Sequence, residues 1–265
     1  MDVTAVDRSA VMGTSPLHRA APARKLIAAG LVLASVVVAN DPMIVAGVAL
    51  ALVGIVGALD LPLRPMLVLA LYPAVFALVF AFAAAPGPVT GALFVLKAVT
   101  SALAFVTLMF TTPYPQVFAP LQRVTPTVIG DALLMTYRSL FLLAEKFEDL
   151  MRAVRLRAGI SARQPLRSAR GTMRALSGLL LYSLDLAERE YDVLHLRGYE
   201  GGLRVTPQAS SAPGTDRAAV GFGLLALLAS VAFRMWPGLV GYSWLVTAAG
   251  LVTLATGLVM RWRKR

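Results

Sequence analysis

The chain has 265 residues, 58% of them hydrophobic, a formal net charge of +11 and no cysteine. The absence of cysteine excludes disulfides, thiol catalysis and cysteine-ligated metal sites. Its mean hydropathy is +0.73 and its apolar residues gather in long uncharged runs. That excludes an ordinary soluble domain, which is nearer half apolar.

Residues 1–24 are expected to form a cytoplasmic N-terminal tail. No small-x-small site follows the first apolar run, so no cleaved signal peptide is expected. Four runs, 26–39, 43–59, 66–85 and 89–112, place transmembrane helices 1–4 within 25–112. A helix needs about 20 apolar residues to cross about 30 Å of hydrocarbon; the first two runs are short. Asn40-Asp41-Pro42, the Pro62 to Pro65 stretch and Pro86-Gly87-Pro88 read as turns between them. Pro73 falls inside the third run and is expected to kink it.

Residues 113–217 are different: they carry fourteen Lys/Arg and no comparable apolar run. Over 131–157, Leu133, Tyr137, Leu140, Ala144, Phe147, Met151 and Val154 repeat at 4-3 spacing, a seam on one helical face. Asp131 near the start suits the helix dipole. A second helix over 173–197 sets Leu176, Leu180, Ala187, Tyr191 and Leu194 on one side. Such helices pack together or lie at a membrane surface without crossing it. Between them 161–174 reads as a polar basic linker with Pro165 and Gly171 as breakers. Gly201-Gly202 and 206–216 read as a flexible return to the membrane. Runs 218–233 and 239–260 place transmembrane helices 5–6 within 218–261, and 262–265 is a cytoplasmic tail.

The expected fold is therefore all-α: a polytopic membrane protein with about six transmembrane helices and a cytoplasmic helical region. The Lys/Arg of both tails, of the turn at Arg64 and of 113–217 all fall on one side, while the other side has only Arg234. Positive-inside bias then puts both termini in the cytoplasm of a cell (inner or plasma) membrane. The same bias accounts for the net charge. No basic stripe interleaved with aromatics points to nucleic acid, so the lipid bilayer is the expected environment.

Both amphipathic helices end at an arginine, in Leu156-Arg157-Ala158-Gly159 and in Leu196-Arg197-Gly198-Tyr199. An arginine followed by glycine is an ordinary helix C-terminus. A guanidinium at a helix tip is also suited to bidentate pairing with a partner's carboxylates, and two such tips suit two copies of a soluble partner. Lys97, inside the fourth run, is a costly intramembrane cation that either contacts another membrane subunit or snorkels. His18 and His195 lack a second ligand nearby, so no metal site is expected. Glu145, Glu148, Asp149, Asp185, Glu188 and Asp192 read as solvated faces or intrahelical pairs rather than catalytic groups. No phosphate-binding loop, zincin motif or nucleophile elbow occurs.

The stretch from Met135 through Arg138 and Glu145 to Arg157 resembles the first coupling region of the T component of energy-coupling factor (ECF) transporters. The stretch from Leu176 through Glu188, Arg189 and Tyr191, with Leu196-Arg197-Gly198-Tyr199-Glu200-Gly201, resembles the second. The second segment is most similar to the cobalt/nickel (CbiQ-like) branch. Family members commonly carry two Ala-Arg-Gly signatures whose arginines engage two ABC-type ATPase subunits. Arg197 and Gly198 match the second signature, with Leu196 replacing alanine. Leu156-Arg157-Ala158 is the preferred match to the first, with Ala158 at the glycine position; shifting by one residue loses the arginine.

The resemblance implies a non-catalytic permease subunit of an ATP-hydrolysing uptake system. It would transmit ATPase motion to a substrate-binding membrane subunit, for cobalt or nickel or, alternatively, a vitamin. It implies no cofactor on this chain; ATP is used by the partners. Two other classes remain beside it: a membrane enzyme acting on lipid head groups, which would want clustered carboxylates, and a scaffold for a soluble partner.

Overall fold

The computed structural model describes residues 13, 15–59, 61–122, 125–158, 165–203 and 212–263. Most of the expected tail 1–24, Gly159 to Gln164, most of the return segment 206–216 and the last two residues lie outside the described residues. All regular structure among the described residues is helical. In chain order it comprises α1 (Pro22–Val38), α2 (Pro42–Ala58), α3 (Leu63–Ala84), α4 (Pro88–Thr111), α5 (Tyr114–Leu121), α6 (Thr127–Ala158), α7 (Pro165–Leu196), α8 (Pro213–Met235), a 3-10 segment (Pro237–Tyr242) and α9 (Trp244–Arg263).

Proline opens α1, α2, α4 and α8 in the first turn. There its missing N–H would have no intrahelical partner, and its fixed φ suits the helix. Asp41 caps α2 by accepting from the Met43 N–H at 3.0 Å. The expected last span is corrected: 239–242 belongs to the 3-10 segment, and the helix begins at Trp244. Pro237, Gly238 and Gly241 disfavour a continuous α-helix there. The short α5 was not foreseen, because Pro115 and Pro120 mask any apolar period.

The chain divides into two compact units, Met1–Pro120 with Thr206–Arg265, and Leu121–Val205. In the first, α2 lies against α9, α1 against α8, and α4 touches α1, α2 and α3. Glycine makes the closest contacts. A Cβ on Gly47 would lie 2.5 Å from the Val246 carbonyl oxygen, and one on Gly257 would overlap the Gly54 carbonyl. In hydrocarbon, helices gain little by hiding apolar surface from lipid. Close backbone approach through small residues is what holds them together.

The contacts also set direction. Gly47 meets Gly250 and Gly54 meets Gly257, so α2 and α9 run parallel. Arg24 pairs with Asp216 at 3.1 Å, Gly223 abuts Ala28, and Arg234 donates to the Val38 carbonyl at 3.2 Å, so α1 and α8 run parallel too.

At one end of this bundle, polar groups tie three helix termini together. The buried Asp216 carboxylate accepts from the Ala21 N–H at 2.8 Å, ahead of α1, and from Arg24. Lys25 Nζ donates to the Thr111 carbonyl at 2.8 Å, and His18 Nε2–H to that of Phe110 at 3.1 Å. The Lys25 ammonium therefore sits at the negative end of α4 and a carboxylate at the positive end of α1. The start of α1, the end of α4 and the start of α8 thus lie on one side. Both ends of the 113–212 stretch leave the bundle there.

The rest of the bundle surface is apolar. On α3 only Met66 and Ala70 are buried, while Val68, Tyr72, Val75, Phe76, Val79, Phe80 and Phe82 are exposed. So large an exposed apolar surface is that of a protein whose solvent is lipid. Among the described residues, five helices are long and apolar enough to span: α3, α4, α8, α9 and Thr127–Leu156 of α6, with α2 a shorter apolar helix. The chain is a multi-pass membrane protein. In α6 the apolar residues dominate the first half, but Asp131, Arg138, Glu145, Lys146, Glu148, Asp149, Arg152 and Arg155 lie along it. Each charge at bilayer depth costs about 2.5–3.5 kcal/mol on insertion scales, which weighs against a spanning α6.

Gly257→Val should lower the stability of the detergent-purified chain by about 3 kcal/mol, because its Cβ meets backbone that cannot yield. Gly30→Ala, where nothing stands within 4 Å, should be neutral or stabilising by about 0.5–1 kcal/mol. Thermal midpoints of the two variants check this.

Candidate functional site

The second unit is a hairpin of α6 and α7. Val154 packs on Gly171, Leu150 faces Gly178, Lys146 Nζ sits 5.1 Å over the Tyr182 ring, and Arg138 approaches Glu190 at 3.8 Å. The paired numbers fall on one helix as they rise on the other, so the two run antiparallel.

One expectation is corrected here and one open alternative is decided. Helix α7 begins at Pro165, so 165–174 is not a linker. Pro165 opens the helix as a first-turn proline. Gly171 is buried within it, where a Cβ would lie 2.7 Å from Val154 Cγ1. Glycine costs a helix about 1 kcal/mol; the close approach it permits offsets that. Second, the apolar stripe on α7 does not pack on α6. Leu176, Leu180 and Tyr191 are 45%, 65% and 70% exposed, and Met173, Leu181 and Leu184 are exposed with them. The face turned to α6 carries Gly171, Gly178, Tyr182 and Glu190 instead. On α6 the seam is split: Leu140 and Ala144 are exposed, whereas Leu133, Tyr137, Phe147, Met151 and Val154 are partly buried.

Antiparallel pairing sends the two candidate tips to opposite ends of the hairpin. Arg157 and Ala158 occupy the last turn of α6, after Leu156, which is 88% exposed. Arg197 follows α7 beside the start of α6. At about 1.5 Å of rise per residue from 131 to 157, the two ends stand roughly 40 Å apart.

The Arg197 tip is well defined. The Tyr199 N–H donates to the Leu194 carbonyl and the Gly198 N–H to that of His195, both at 3.0 Å. Gly198 has φ of 69°. This is a Schellman motif with Arg197 as C-cap and Gly198 in the left-handed position. Leu196 is 86% exposed, Arg197 and Gly198 are exposed, and the Arg197 guanidinium makes no hydrogen bond or ion pair among the described residues. A bare fork at a capped helix end is ready to pair with a carboxylate outside the chain. His195 stacks on Tyr191, ring centroids 6.3 Å apart.

One residue of this tip escaped the sequence reading. The buried Asp131 carboxylate accepts from the Tyr199 hydroxyl, from the Gly202 N–H at 2.9 Å and from the Leu203 N–H at 2.7 Å. Gln122 Nε2 donates to the Leu203 carbonyl at 3.0 Å. The bond to Asp131 holds the Tyr199 phenol above its ordinary ionisation range. The signal was an aspartate in an otherwise apolar second turn of α6, paired with a glycine-rich loop about 70 residues on.

Lys97 is elsewhere, in the first unit, where its Nζ donates to the Val37 carbonyl at 3.1 Å. With Arg234 on Val38 it satisfies the last carbonyls of α1, an intrachain partner that sequence alone did not supply. Also in this unit, a cavity of about 460 Å³ among α1, α2, α4 and α8 is lined by Val32, Leu52, Ala104, Phe222 and other largely apolar residues, with Lys25 at its edge.

The family of cobalt transport proteins named CbiQ matches residues 13–208, across both units. The chain belongs to that family. Among curated proteins, the cobalt transport protein CbiQ of Rhodobacter capsulatus is 32% identical over 120 residues, 45% of this chain and 48% of that protein. The chain thus spans about half the length of the curated relative it matches. The family is the one whose T-component signatures the helices α6 and α7 resemble.

Gly198→Ala should strain the left-handed cap by about 1 kcal/mol. Faster amide hydrogen exchange at residues 197–199, with exchange in α8 unchanged, is the expected readout.

Proposed function

We propose that the chain is the transmembrane coupling (T) subunit of an ATP-driven ECF-type uptake transporter whose cargo is cobalt or nickel. The observation that carries this reading is the separation of two arginine-bearing helix ends at opposite ends of one antiparallel hairpin. Tips roughly 40 Å apart suit two separate ATPase subunits, one at each end, better than a single partner gripped twice. Family membership and the printed name of the relative supply the metal.

In this reading 113–217 is cytoplasmic and both termini lie on the same side. The positive-inside bias supports that placement, as does the clustering of the starts of α1 and α8 with the end of α4. The partners are two ABC-type ATPases, which use the ATP, and a membrane subunit that binds the substrate; this chain holds no cofactor of its own. The outward apolar stripe of Met173, Leu176, Leu180 and Leu184 on α7 offers that membrane subunit a greasy face. ATP-driven change in the spacing of the two ATPases would shift α6 and α7 as rigid rods, a sliding motion of packed helices. Lys97, with a backbone partner inside the chain, is a weaker candidate for subunit contact than the stripe.

Arg197→Ala combined with Arg157→Ala should cut ATPase co-purification at least tenfold and abolish cobalt uptake, with membrane insertion unchanged. Losing a charge-assisted pair at each tip removes about 1.5–3 kcal/mol apiece. Undiminished uptake by the double variant would defeat the reading. So would labelling of a cysteine placed at Glu200 by an impermeant reagent added outside intact cells.

A further inference from the structure

Helix α7 ends in a cap whose final residue, Tyr199, is bonded across to a different helix. Only Gly198 separates that tyrosine from Arg197, and the Tyr199 N–H makes the outermost bond of the Schellman motif. Gly201 and Gly202 have φ of 93° and 112°, so the backbone doubles back after the cap. This turn delivers the N–H groups of Gly202 and Leu203 to the two oxygens of Asp131. With the Tyr199 hydroxyl, one carboxylate in the second turn of α6 receives three donors from the loop. Hydrogen bonds to a carboxylate are stronger than those between neutral groups, so a buried acceptor of three is not an incidental contact. Arg138 and Glu190 add a looser tie between the same two helices further along.

We propose that Asp131 is a positioning residue for partner docking: its carboxylate, by gripping Tyr199, Gly202 and Leu203, holds the Arg197 tip of α7 in register on α6. It rests on the docking reading above and adds the group that aims the arginine. Without it the cap still forms, since its own bonds lie within α7, but the capped end of α7 loses its tie to α6 and the following loop swings on the glycines. Arg197 then spends most of its time out of reach of a partner groove. The ordering of the tip is provided before the partner arrives, which is how a preorganised contact gains affinity.

The test uses the full transporter complex, with the ATPase and substrate-binding subunits co-expressed. The chain has no cysteine, so nitroxides can be attached at Glu145→Cys on α6 and Glu200→Cys beyond the tip, both exposed. With Asp131 in place, pulsed electron-spin distances between the labels should form one narrow distribution. Asp131→Asn should at least double its width and lower ATPase retention about tenfold. Tyr199→Phe, which keeps the ring and removes one donor, should do both to a smaller extent, about threefold in retention. In an Arg197→Ala background, Asp131→Asn should cause no further loss of retention.

An unchanged distance distribution in Asp131→Asn would overturn the proposal, as would a broadened one accompanied by full retention. Full retention in Arg197→Ala with a narrow distribution would instead defeat the docking reading, leaving the grip of Asp131 on the loop standing as measured by distance.

Discussion

Glycine against backbone is the contact on which the first unit depends. In lipid, a leucine gains nothing by leaving its neighbours for another helix, so the attraction has to come from dispersion and close approach. Gly47 and Gly54 on α2, and Gly250 and Gly257 on α9, remove the side chains that would hold the two backbones apart. Their seven-residue spacing keeps them on nearly one face of each helix. The pairing is parallel, which carries a topological consequence. The α8–α9 pair lies alongside the α1–α2 pair in the same direction, so whatever intervenes must return to the side it left. The end of α4 and the start of α8 are therefore held on one face of the bundle by contacts within it.

Charge reinforces that arrangement where helices end. Asp216 has no exposed surface, yet it meets Arg24 and the Ala21 N–H. Lys25 and His18 answer the last carbonyls of α4, while Lys97 and Arg234 answer those of α1 at the opposite end. Helix termini carry unpaired polar groups, and in a bundle surrounded by lipid there is little water to satisfy them. Arg24, Lys25, Lys97, Asp216 and Arg234 all serve there. This gives Lys97 a bland role that its position in an apolar run does not disclose.

The hairpin of α6 and α7 follows a different logic. Its close approach again uses glycine, at Gly171 and Gly178, but its apolar stripe is left outside. A soluble hairpin would turn that stripe inward. One whose outer face meets a membrane subunit, as proposed above, has reason to do otherwise. Antiparallel packing converts a sequence repeat, two helices each ending at arginine, into two sites far apart. Forty residues of sequence separation alone could equally have placed both arginines side by side.

Much of this protein was readable from its residues. Six apolar runs foretold α1–α4, α8 and α9, because hydrocarbon thickness fixes how many apolar residues a crossing needs. The helical period foretold α6 and α7, and the Arg197-Gly198 pair foretold a capped end, since only a residue at ease with positive φ closes a helix in that way. What periodicity could not say is which partner a face meets. The stripe of Leu176, Leu180 and Tyr191 could have met α6 or a membrane surface, and it does not meet α6. Gly171 looked like a breaker and is a contact. Asp131 looked like a dipole complement and is bonded to a loop 70 residues away. Local preference depends on neighbours within a few turns, so sequence determined most of the helices, the Arg197-Gly198 cap and the bilayer setting, though not where α7 and α9 begin. Packing and long-range hydrogen bonds join residues that no local pattern relates, and only the tertiary structure decided those.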